Sequence, residues 1–133
     1  MESTSLPITI LAIDDEPDVL AQIANIARQA GYSCRCASDA QSAGEAMRQA
    51  TPDLIISGIN LAGQSGVAVC EQIKQQSGHA EVPVMFLSAA QGPDIIRRAD
   101  AAGGTYYLRK PFDAPVFLQL IEQARLVPHL VQA

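Results

Sequence analysis

Ile8-Thr9-Ile10-Leu11-Ala12-Ile13 is followed directly by Asp14-Asp15-Glu16-Pro17. The first six residues are a short, continuous run rich in β-branched side chains, the pattern of a strand buried on both faces. The next four are acidic and end in a proline suited to the first turn of a helix, so a strand gives way to an acidic loop and then to a helix N-terminus. Val19, Leu20, Ile23, Ile26, Ala27 and Ala30 recur at helical spacing. Gly31 then stands where a helix C-terminus favours a left-handed residue.

The alternation continues along the chain. Tyr32 to Ala37 reads as a second strand, and Ser38 or Asp39 caps a helix running to about Gln49. Thr51-Pro52 breaks that helix ahead of the strand Leu54-Ile55-Ile56. Ile59 to Gly66 is a loop whose Gly63 and Gly66 read as turn residues. Val67, Cys70 and Ile73 mark a third helix, Val82 to Leu87 a fully apolar fourth strand, and Gln91 to Ala101 a fourth helix. Thr105 to Leu108 is a fifth strand, Lys110-Pro111 interrupts the chain, and Val116, Phe117, Leu120, Ile121 and Ala124 line one face of a last helix. Strands alternating with helices of this length pair in parallel through right-handed crossovers. The expected fold is therefore α/β, a doubly wound five-stranded parallel sheet with helices on both faces. Its site is expected at the strand C-terminal ends.

The 133 residues suit one domain, at 8–126, between an N-terminal tail of 1–7 and a segment of 127–133 that is a tail or the start of a linker. With 48% hydrophobic and 17% charged residues, the composition is that of a folded chain rather than a disordered one. The longest uncharged apolar run, Leu6 to Ile13, is far shorter than the roughly 20 residues of a membrane span. No basic segment precedes a signal-type core, so a cytoplasmic address without membrane contact is expected. A net charge of −5 argues against nucleic-acid binding by this domain itself. Cys34, Cys36 and Cys70 are odd in number and lack metal-ligand spacing, so they read as reduced, buried thiols.

At the expected site edge, Asp14 and Asp15 close strand one, Ser88 closes strand four and Lys110 follows strand five. Paired carboxylates repel unless a hard cation such as Mg²⁺ lies between them. A hydroxyl and an ammonium are the donors that a transferred phosphoryl group needs as charge spreads over its oxygens. Taken singly, each has an ordinary reading: a solvated acidic loop, a strand-end hydroxyl, a surface lysine. Their convergence is what points to Mg²⁺ and phosphate.

Ile10 to Pro17, Pro52 to Ile56, Leu61 to Gly66, Leu87-Ser88-Ala89 and Lys110-Pro111-Phe112 together resemble the receiver domains of bacterial two-component response regulators, the flavodoxin-like, CheY-like family. The resemblance spans almost the whole chain. It implies that Asp14 and Asp15 are the metal-binding acids and that Asn60 offers its backbone carbonyl to Mg²⁺. It also implies that Ser88 is the switch hydroxyl and that Lys110 contacts the phosphoryl group ahead of a cis proline. Tyr107 would be the aromatic switch, rotating inward as a phosphate draws in Ser88. The implied partners are a histidine kinase or phosphotransfer protein, and an output domain or partner docking on the face of helix four, strand five and helix five. No enzyme activity of its own is implied.

One position departs from that pattern. The family's third strand ends in the phosphate-accepting aspartate, whereas Ile55-Ile56-Ser57-Gly58-Ile59-Asn60-Leu61 puts Gly58 there. Glycine has no nucleophile, so no acyl phosphate can form at position 58. Successive strand residues face opposite sides, so Ser57 is expected to point away from the pocket. Loss of one of three carboxylates should weaken Mg²⁺ binding.

Two readings follow. In one, the chain comes from an ordinary phosphorylatable regulator and Gly58 is a variant or engineered change; the retained Asp14, Asp15, Ser88 and Lys110 favour it. In the other, it is a degenerate receiver, an interaction module that works without phosphorylation. A phosphohydrolase with an aspartyl nucleophile is disfavoured because Glu16 and Pro17 stand where a second acid and a hydroxyl would follow Asp14. A flavin binder would carry a hydroxyl-rich loop after strand one, where this chain is acidic.

Overall fold

In a computed structural model of the chain, the residues described are 8–88, 104–109 and 112–126, with the side chains of 88, 104–109 and 124–126 left aside. The strands β1 (Thr9–Ile13), β2 (Ser33–Ala37), β3 (Leu54–Gly58), β6 (Val84–Ser88) and β7 (Gly104–Arg109) form one sheet in the order β2-β1-β3-β6-β7. Every neighbouring pair in it is parallel. The order reverses beside β1, which puts the crevice of this doubly wound sheet at the C-terminal ends of β1 and β3.

Helices α1 (Pro17–Gln29), α2 (Ala40–Gln49), α3 (Gly66–Ser77) and α4 (Ala114–Leu126) cover the sheet. Period-two alternation of the central strands sorts the core into two layers. On one face Ile10, Ala12, Leu54, Ile56, Met85 and Leu87 meet Ile23 and Ala27 of α1 and Phe117 and Ile121 of α4. On the other, Leu11, Ile13, Ile55, Val84 and Phe86 meet Ala43 and Met47 of α2 and Val69, Cys70 and Ile73 of α3. β1, β3 and β6 are buried on both faces, which explains why they read as unbroken apolar runs.

Local signals set the helix ends. Pro17 opens α1 and Gly31, at φ +91°, follows its C-cap. Of the two candidate caps for α2, Asp39 is the one used, its carboxylate accepting from the Ser42 N–H at 2.8 Å. Ser65 caps α3 and Gly78, at φ +75°, ends it.

The structure corrects three expectations. The stretch 59–66 is not a plain loop: β4 (Asn60–Leu61) and β5 (Gln64–Ser65) form a small antiparallel hairpin. Its turn residues Ala62 and Gly63 have φ of +46° and +88°, the sign pattern of the primed turns that match strand twist. Gly66 is not a turn residue but the first residue of α3. A Cβ there would lie 1.8 Å from the Gly58 carbonyl oxygen, so only glycine lets this backbone pass so close. Cys36, read as buried, is exposed, because β2 is the edge strand of the sheet.

Several expectations fall outside the described residues: the tails 1–7 and 127–133, the fourth expected helix from Gln91 to Ala101, and Lys110 with Pro111.

Candidate functional site

The acidic edge is built where β1 stops. The Asp14 N–H donates to the Ala37 carbonyl at 3.1 Å, one last step of the β1–β2 ladder, and this places the Asp14 side chain on the α1/α4 face of the sheet. Asp14 is fully buried, and its Oδ1 accepts from the Glu16 N–H at 3.0 Å. That bond turns the chain out of the strand and into α1. Asp15, one residue on, is exposed, and its Oδ2 accepts from the Ala62 N–H at 3.1 Å. A carboxylate of the first loop thereby holds the tip of the β4–β5 hairpin, 47 residues away in sequence. The positive φ of Ala62 aims that amide at the acid.

β3 delivers Gly58 to the same place. Ala12 is paired with Ile56, so Asp14 and Gly58 follow on the same face of adjacent strands. A Cβ on Gly58 would lie 2.8 Å from Asp14 Oδ2, 3.4 Å from its Cγ and 3.5 Å from the Asn60 carbonyl oxygen. Any side chain at position 58 would therefore enter a corner bounded by Asp14 and that carbonyl. The tip of the Asp14 carboxylate would have to swing aside to admit it.

Ser57 takes the opposite direction, as period-two geometry requires. Its hydroxyl is buried on the α2/α3 face, donates to the Gly58 carbonyl at 2.9 Å and bonds to the Cys70 thiol. Burial there pushes the Cys70 thiol up to about 11, so it is a neutral core group.

Of the residues expected to converge, the structure brings together Asp14, Asp15, the Asn60 carbonyl and position 58. Ser88 ends β6 and is paired with Arg109, while Tyr107 lies in β7 opposite Phe86. Both are therefore on strands of the same sheet, with Ser88 at the same strand-end edge as Gly58. Lys110 lies outside the described residues. His79 contacts Thr51 Oγ1 at 2.9 Å and Glu81 at 3.9 Å, ahead of the N-terminal ends of β3 and β6 and so at the opposite edge of the sheet from the acid pair.

Asp14, Asp15 and the Asn60 carbonyl suit a hard cation in kind, since all are oxygen donors, but they are an incomplete set. Among the described residues no group of three or more acidic, His or Cys side chains converges, and each of the two carboxylates already accepts a backbone N–H.

The sheet order, the acid pair at the end of its first strand and the buried corner beside Gly58 define the class: a doubly wound domain whose site lies at the topological switch point. Comparison with known proteins makes the family plain. Residues 10–122 match the response regulator receiver domain, and the chain belongs to that family.

The Escherichia coli K12 DNA-binding transcriptional regulator NtrC is 30% identical over 115 residues, which are 86% of this chain and 24% of NtrC. The probable transcriptional regulatory protein TcrX of Mycobacterium tuberculosis is 34% identical over 107 residues, 80% of this chain and 44% of TcrX. The chain thus spans less than half the length of these relatives. Among solved structures, Vibrio cholerae chemotaxis protein CheY4 superposes with a TM-score of 0.85 at 25% identity, covering 90% of this chain and 99% of CheY4. The receiver domain of Brucella abortus NtrX does so with 0.80 at 33% identity, covering 87% and 97%.

Proposed function

We propose that this chain is the receiver module of a two-component phosphorelay and that it takes no phosphate at position 58. The observation that carries the reading is the direction of the missing side chain. A Cβ on Gly58 points into the corner made by Asp14 and the Asn60 carbonyl, which is where an accepting carboxylate would have to stand. Glycine offers no oxygen to attack phosphorus. The neighbouring hydroxyl of Ser57 is turned to the other face of the sheet and is engaged there.

On this reading the chain is not an enzyme. Asp14, Asp15 and the Asn60 carbonyl would hold Mg²⁺ more weakly than a full set of three carboxylates, and Ser88, Lys110 and Tyr107 keep the switch roles that the family resemblance implies. Its partners would be a histidine kinase or phosphotransfer protein on the input side. On the output side stands an output domain, or a partner on the face that includes β7 and α4. The small share of NtrC and TcrX that the chain spans supports a linked output function. A cytoplasmic setting belongs to the same proposal; no helix among the described residues is long and apolar enough to cross a membrane.

One observation favours the alternative of a phosphorylation-independent interaction module. Asp14 Oδ2 already occupies the space that a side chain at position 58 needs, and Asp15 is held by the hairpin. The pocket is therefore settled around its glycine. Incubation with acetyl phosphate and Mg²⁺, followed by ³¹P NMR of the washed protein, tests the primary reading. No acyl-phosphate resonance is expected, and a hydroxylamine-sensitive phosphoryl group on the chain would overturn it.

A further inference from the structure

At the edge of the sheet opposite the acid pair, two loops meet. Thr51 lies between α2 and β3, and His79 and Glu81 lie between α3 and β6. Thr51 Oγ1 is 2.9 Å from His79 Nε2, and Glu81 Oε1 is 3.9 Å from His79 Nδ1. Each ring nitrogen therefore faces a different group, a hydroxyl on one side and a carboxylate on the other. The backbone fixes both ends of this contact. Thr51 precedes Pro52, which confines it to extended conformations, and its branched Cβ limits the hydroxyl to few rotamers. The His79 N–H donates to the Lys74 carbonyl at 3.1 Å, and the His79 carbonyl accepts from the Val82 N–H at 3.3 Å.

We propose that Thr51, His79 and Glu81 form an acyl-acceptor site, where the Thr51 hydroxyl takes a short acyl group from an activated ester or thioester. A carboxylate beside Nδ1 favours the tautomer that carries its proton there, which leaves the Nε2 lone pair to accept from the Thr51 O–H. At 3.9 Å Glu81 is too far for a hydrogen bond but near enough to bias the proton and orient the ring, so it is a positioning residue. His79 is the base, and its 2.9 Å to the reacting oxygen falls within the reach of about 2.6–3.2 Å that proton abstraction asks for. Nucleophile, base and orienting acid in that order activate a hydroxyl that is otherwise too weak to attack. The site is open: Thr51 is exposed, and the His79 and Glu81 side chains are 36% and 58% exposed. Lys74, which also interacts electrostatically with Glu81, is buried, so Thr51 is the nucleophile that an incoming donor meets.

The step transfers a group without any redox change. The Thr51 oxygen attacks the acyl carbon as its proton passes to Nε2, and a new C–O bond forms. The bond from the acyl carbon to the phenolate or thiolate then breaks, and the leaving group takes the proton from Nε2. His79 ends neutral and Thr51 carries an ester. On an exposed pair of loops the donor must bring its own good leaving group, which selects aryl esters and thioesters of small acids. Uptake stops at one acyl group per chain, so this is a modification site and not a turnover enzyme.

The test incubates the full chain with p-nitrophenyl acetate in neutral buffer and locates the acetyl group by intact mass and peptide mapping. Acetylation of the chain's α-amino group serves as the internal reference rate. One acetyl group on Thr51 of the native chain is expected, and Thr51→Val should abolish uptake there. His79→Gln should slow acetylation of Thr51 by about a hundredfold while the reference rate stays unchanged. Glu81→Gln should slow it by about tenfold, and Glu81→Asp, which keeps the charge, should restore most of the rate. No acetyl group on Thr51 of the native chain, an acetyl group held on the His79 ring or on Lys74 instead, or an undiminished rate in His79→Gln or Glu81→Gln would each overturn the proposal.

Discussion

Asp14 and Ser57 stand at the ends of adjacent strands and both are buried, yet they belong to different halves of the molecule. Asp14 faces α1 and α4, shares its corner with the Asn60 carbonyl and lies against the space where a side chain at Gly58 would begin. Ser57 faces α2 and α3 and gives its hydroxyl to backbone and to Cys70. The comparison teaches that chemistry at a strand end is decided by parity. The one hydroxyl next to the glycine is spent on the core, and the face with the carboxylates has no side chain at its centre.

The backbone between the two faces is the most sensitive place to disturb. Gly66→Ala would drive a methyl group to 1.8 Å from the Gly58 carbonyl and force β3 and α3 apart. A loss of about 3 kcal/mol or more is expected in urea unfolding; a stable Gly66→Ala chain would mean that the hairpin does not hold the two glycines in this close approach.

Adding a carboxylate on the Asp14 side should sharpen the contrast next. Gly58→Asp is expected to raise Mg²⁺ affinity by about tenfold, read by isothermal titration, because a third oxygen donor joins Asp14 and Asp15. An unchanged affinity would mean that the acids stay committed to the Glu16 and Ala62 amides.

On the opposite face, Ser57→Ala removes one buried hydrogen-bond donor and should cost about 1 kcal/mol. Mg²⁺ binding by the same variant should not change, and a clear drop would place Ser57 in the pocket after all.

The smallest effect is expected at the α2 cap. The backbone and side-chain bonds from Ser42 hold the Asp39 carboxyl below its ordinary value. Its contribution to stability is thus present above the ordinary carboxylate range and is lost as pH falls through the lowered one. Asp39→Asn should flatten the acid limb of the stability curve slightly and leave Mg²⁺ binding untouched.

Much of this was legible from residue order. Ile8 to Ile13 with its acidic terminus announced the first strand and its loop, and period-two alternation was enough to turn Ser57 away from Asp14. The hairpin at 60–65 was not legible, because its turn is Leu61-Ala62-Gly63-Gln64 rather than an Asn-Gly or Gly-Gly pair. An alanine at positive φ is held there by Asp15, a contact no local pattern announces. The role of Gly66 depends on a tertiary approach to Gly58, and the exposure of Cys36 on which strand lies at the sheet edge. Neither is a property of its own segment. The signal that could have found the Gly66 contact was its place at the start of a helix, where a Cβ would meet the strand just left.

The central claim is that Gly58 alone separates this pocket from one that accepts phosphate. Intact mass spectrometry of the native chain and of Gly58→Asp, each incubated with Mg²⁺ and acetyl phosphate, tests it most directly. The account predicts one phosphoryl adduct on Gly58→Asp and none on the native chain. No adduct on either, with Gly58→Asp folded, or an adduct on the native chain, would contradict it.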